Sequence, residues 1–178
     1  MNSWFSRPSK KEQLVQLFSE HVSPELLDSV AAPDFSKINE LSQGPVEFIL
    51  AAVQGASPNE TGERLGSVAT IARQSGWMIQ NLLCNLAVFV HGTLPIKEPL
   101  VLDRSALANK LLQSSPSNIK IVHGVEAAFF GNMGGSARIT YGVLLPSFLE
   151  AMSRLNALPF GRAQEIVANP SINTDAAR

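Results

Sequence analysis

From Val46 onward the chain alternates between short apolar runs and longer stretches in which apolar positions recur every three or four residues. "VEFILAAV", Val46 to Val53, reads as a strand that ends near Gly55. "SPNE" at 57–60 is a capping box with proline at the first helical position. The helix it opens places Leu65, Val68, Ala69 and Ala72 on one stripe, and Gly76 can close it. "WMIQNLL" and "NLAVFVHG" predict two short strands with a turn near Cys84 and Asn85. "LDRSALANKLLQ" predicts a second helix capped by Asp103.

"IKIVHGVEAAFFG" supplies one or two further strands, "GNMGG" has the composition of a turn, and "ARITYGVLL" reads as another strand. "SFLEAMSRLNAL" predicts a helix opened by a second capping box, Ser147 with Glu150. "EIVA" reads as a last strand, and "NPSINTDAAR" as a mobile tail. Ahead of this body, "KKEQLVQLFSEHV" puts Leu14, Leu17, Phe18 and His21 on one helical face. "SPELLDSV" restarts a helix, with Ser23 as cap, Pro24 first and Glu25 at the positive end. The expected division is a helical extension and connector over 1–45, a folded domain over 46–168 and a tail over 169–178. The order β, α, β, β, α, β predicts an α+β, ferredoxin-like split βαβ sandwich. Its sheet is mainly antiparallel, with helices on one face.

Composition narrows the class. Of 178 residues, 45% are apolar and 16% charged, which is a globular balance. A net charge of −1 supplies no basic field for nucleic acid. Cys84 is the single cysteine, so thiolates cannot build an internal disulfide or a zinc cluster. Its leucine neighbours predict a buried, inert thiol. No run of about 18 apolar residues predicts a membrane span, and "MNSWFSRPSKK" lacks the apolar core of a secretory signal. A cytoplasmic protein is expected.

Several stretches resemble one family. "LFSEHVSPELLDSV", "FILAAVQGAS", "SGWMIQNLLCNLAVFVHG", "IKIVHGVEAAFFGNMGGSARITYGVLL" and "AMSRLNALPFG" occur in the order of the catalytic domain of bacterial class III adenylate and guanylate cyclases. They cover about residues 17 to 168. The resemblance implies the cyclase fold and head-to-tail dimers with shared active sites. Cyclisation requires two divalent cations held by carboxylates. The family's two aspartates fall here on Ala52, three residues before Gly55, and on Asn85 in the hairpin turn.

A base-reading lysine falls on Asn81, and its partner on Pro146 or Ser147. The ribose-binding asparagine falls on Glu150, and the phosphate-stabilising arginine on Arg154. Arg138 is a second candidate phosphate remnant. Simpler roles also exist for these residues: a helix cap for Ser147 and Glu150, a solvated or salt-bridged Arg154, structural roles for His21, His91 and His123, and a turn at Asn85. Neither a metal nor a cofactor is expected. The resemblance thus implies a catalytically inactive cyclase-homology domain, a regulatory or scaffold module of bacterial signalling that forms a homodimer or pairs with a signalling protein. One alternative is a sensor binding a nucleotide or other small molecule in the dimer crevice. The other is residual adenylate or guanylate cyclase activity.

Overall fold

A computed structural model describes residues 10–29, 40–94, 102–133 and 141–167. In chain order these form α1 (Lys10–Phe18), α2 (Pro24–Ser29), β1 (Ser42–Val53), α3 (Pro58–Gln74), β2 (Met78–Leu83), β3 (Leu86–His91), α4 (Arg104–Ser114), β4 (Ile119–Asn132), β5 (Tyr141–Leu144), α5 (Phe148–Ala157) and β6 (Ala163–Val167). The strands make one sheet in the order β2-β3-β1-β4-β5, with β6 also paired to β4. All pairs are antiparallel except β4–β6, which is parallel. β6 takes the outer edge of β4 along Ile121–Val125, and β5 takes it along Phe129–Asn132. The predicted split βαβ core is present.

Side chains from Phe48 to Val53 are buried without alternation, and a strand of that kind needs cover on both faces. Ile49, Ala51 and Val53 pack with Leu65, Val68, Ala69 and Ala72 of α3 and Leu107, Ala108 and Leu111 of α4. Phe48, Leu50 and Ala52 pack on the opposite face with Phe18, Val22 and Leu26 of the lead-in and Ala151 and Leu155 of α5. The crossover helices therefore share one face as expected. The further helices cover the other, which corrects the expectation of helices on a single side. The lead-in is also tied to the edge of β2: Ile79 N donates to His21 O at 2.7 Å and His21 Nδ1 donates to Ile79 O at 2.8 Å. Thus His21 is a structural residue.

Local signals account for most element starts. Ser57, in extended backbone (φ −142°, ψ 163°), accepts from Glu60 N at 3.2 Å. Glu60 Oε2 reaches back to Ala56 N at 2.6 Å, one residue before the cap. Asp103 Oδ1 caps α4 through Ala106 N, and Ser23 Oγ caps α2 through Leu26 N. The second capping box does not form. Ser147 already has near-helical backbone (φ −83°, ψ 8°) and makes no side-chain cap bond, because a capping hydroxyl needs extended backbone to reach the third amide. Instead the Glu126 carboxylate of β4 accepts from Ser147 N at 3.0 Å.

The β2–β3 turn falls at Cys84 and Asn85 as expected, with Leu83 paired to Leu86. It requires φ +53° at Cys84, and at this tip Cys84 is exposed. Leu82 and Leu83 are exposed as well. The expected buried thiol is corrected: its leucine neighbours point past the covered part of the sheet. "GNMGG" begins inside β4, since Gly131 and Asn132 close that strand. Gly134 and Gly135 of that stretch, Arg138 and the tail over 169–178 lie outside the described residues.

Candidate functional site

The end of β1 brings the first group of expected residues together. Ala52 faces the α5 side, 7% exposed, and pairs with Leu86 just after the hairpin turn. Asn85 closes the turn against β1. Val53 N donates to Asn85 O at 2.9 Å, and Asn85 Nδ2 donates to Val53 O at 3.2 Å. An aspartate could not make the second bond, because its carboxylate only accepts. Gly55 follows where a Cβ would sit 2.6 Å from Thr61 N and 2.9 Å from Glu60 C. That closeness seats the first turn of α3 on the end of β1.

A groove of about 260 Å³ opens beside this end. One wall carries Gln80, Asn81, Leu83, Leu86 and Val88, and the other Val143, Leu144, Leu145 and Phe148. A register shift between Ile79 and Asn81 marks a bulge in β2 and leaves Gln80 as the extra residue. Asn81 thus lines one wall, while Leu145 and Phe148, which flank Pro146 and Ser147, line the other. The lining has two carboxamides and no charged side chain.

Glu150 and Arg154 lie on α5 and pair with each other: Arg154 Nε and one terminal nitrogen donate to Glu150 Oε1 at 3.0 and 2.8 Å. Both are exposed, so the pair is worth little to stability. It does commit the guanidinium to a neighbouring carboxylate. Glu126, 9% exposed, has one carboxylate oxygen on Ser147 N; its Oε1 and the Ser147 hydroxyl have no hydrogen-bond partner among the described residues.

Solved structures place this architecture. No protein-family model and no curated protein matches the sequence. The guanylyl cyclase Cya2 superposes with a TM-score of 0.51 at 15% identity, covering 70% of this chain and 75% of that one. The adenylyl cyclase CyaB from P. aeruginosa gives 0.51 at 11% identity over 71% and 78% of the two chains. The monomeric guanylyl cyclase domain of the RhoGC fusion protein from the aquatic fungus Blastocladiella emersonii gives 0.53 at 10% identity over 71% and 84%. This is the nucleotidyl cyclase fold.

Within the cyclase fold, positions 52 and 85 meet at the end of β1, where the resemblance would set the two aspartates. The donors present there do not fit a pair of divalent cations. One is a methyl group, and the other is a carboxamide already bonded to Val53. Among the described residues no group of three or more His, Cys, Asp or Glu is placed to hold a metal.

Sequence reasoning missed a second polar assembly, on the α3–α4 face. Arg104, the first residue of α4, donates from Nε to His123 Nδ1 at 3.1 Å and from one terminal nitrogen to Glu47 Oε1 at 3.3 Å. Its other terminal nitrogen holds Glu165 Oε1 of β6. Glu47 Oε2 lies 3.5 Å from His91 Nδ1, and the His91 ring tilts against Trp77 at 5.7 Å. Burial lowers the pKa of His91, opposed by Glu47. Burial and the Arg104 charge lower that of His123, opposed by Glu165. The available signal was a lone charge inside an apolar run, Glu47 in "VEFILAAV". A charge so placed needs a partner.

Proposed function

We propose that this chain is a degenerate member of the class III cyclase family: it keeps the fold, lacks two-metal cyclisation, and serves as a regulatory or scaffold module through dimerisation. The observation that carries this reading is Asn85. Its side-chain amide donates to the Val53 carbonyl, so the position corresponding to a cation ligand does structural work that a carboxylate cannot. Ala52 beside it offers no donor, and Glu150 occupies the arginine that would meet phosphate. The setting is bacterial signalling in the cytoplasm; no described helix is long and apolar enough to cross a membrane.

Exposed Leu83 and Leu144, which line the groove, with exposed Leu149 next to the lining Phe148, support association through this side of the sheet. The guanylyl cyclase domain of RhoGC is described as monomeric in one structure and dimeric in another, so association needs direct measurement. Light scattering from low to high micromolar concentration is expected to show a dimer, alone or with a signalling partner. A strictly monomeric chain that captures no such partner would remove the dimerisation reading.

The groove favours a second reading, a sensor without turnover. Thermal melting with nucleotides and cyclic nucleotides tests it, because a ligand selective for the folded state raises the midpoint. An unchanged midpoint at millimolar ligand leaves association as the function.

A further inference from the structure

We propose that Arg104 and His123 form a latch that holds the C-terminal strand β6 on the sheet while His123 is neutral and releases it when His123 takes up a proton. The guanidinium can only donate. His123 Nδ1, 3.1 Å from Arg104 Nε, must therefore present its lone pair, which fixes a neutral imidazole protonated on Nε2. A proton added at Nδ1 removes the acceptor and brings two cations into contact. Since Arg104 also holds Glu47 on β1 and Glu165 on β6, its displacement loosens the attachment of the outermost strand. β6 is five residues long and pairs in parallel, the less stable ladder per residue.

Among the described residues, the charged groups near His123 come from several elements. Arg104 from α4 and Glu165 from β6 face it directly, and Glu47 on β1 and His91 on β3 reach it through Arg104. Asp103, beside Arg104, is engaged with the first turn of α4. Lys120 and Glu126, on β4 itself, are engaged with Asn156 O and Ser147 N. Arg162, just before β6, is exposed.

His123 is held below its ordinary 6.5, so its contribution is fully present above that pH. It is lost as pH falls through the lower folded-state value. Release bares Ile121–Val125 of β4, a strand edge able to pair with another chain.

Amide hydrogen exchange on the full chain, corrected for intrinsic rates, tests the latch at pH 7.5 and 5.0. Protection in β6 should fall at the lower pH, approaching about tenfold for each unit by which folding depresses the His123 pKa. Amides of the β1–β3 ladder should hold. In His123→Gln the carboxamide oxygen can accept from Arg104 and does not titrate, so β6 protection should match at both pH values. Unchanged β6 protection in the natural chain, the same loss in His123→Gln, or loss spread evenly over the sheet would overturn the latch. If His123→Gln does not fold, the ring-proton titration of His123 in the natural chain decides. Loss of β6 protection that tracks a midpoint below 6.5 supports the latch, and loss at another pH, or a midpoint at or above 6.5, defeats it.

Discussion

Asn85 shows how much one side-chain atom contributes to a turn. Its Nδ2 satisfies the Val53 carbonyl at the end of β1, and replacing it with oxygen turns an attraction into a repulsion. Asn85→Asp is therefore expected to lower unfolding stability by about 1 kcal/mol at neutral pH, read from the urea midpoint. Equal or greater stability would mean that the turn does not depend on the amide. Ser57 and Ser147 make a matching point about legibility. Both begin a serine–glutamate pattern with the same spacing, yet only Ser57 has the extended backbone that lets its hydroxyl cap. Backbone angles at a turn depend on what packs there, here Glu126 from across the sheet, and residue type alone does not carry them. Glu47, Arg104 and Glu165 escaped for a related reason: they lie on separate elements, and only the β1–β4–β6 register makes them neighbours.

Among the elements, α3 was the most legible. Its stripe of Leu65, Val68, Ala69 and Ala72 is the buried set of the helix, because a single amphipathic face and a local cap determine both its period and its start. The hairpin was half legible: strands and turn fell where expected, while burial at its tip did not, since exposure depends on how far the helices reach. Gly55 links the two elements. A methyl group there meets the backbone of Glu60 and Thr61 inside van der Waals distance, so α3 must shift or tilt. Gly55→Ala should cost about 1–3 kcal/mol, seen as a lower urea midpoint with an unchanged slope. A neutral substitution would show that the β1–α3 junction is looser than this contact implies.

For the molecule as a whole, the order of elements was enough to read the split βαβ core, and stretches such as "FILAAVQGAS" carried the likeness to cyclases. Cover on both sheet faces was less visible, because a fully apolar run such as "VEFILAAV" shows that both sides are buried without saying by what. Under the proposed function, this cyclase fold serves without cyclase chemistry. Incubating the purified chain with ATP or GTP and manganese, across concentrations that span its association, and measuring cyclic AMP and cyclic GMP tests it most directly. The expected result is no product above a protein-free control at any concentration. Cyclic nucleotide accumulating in proportion to the protein, and stopping when the metal is chelated, would contradict it.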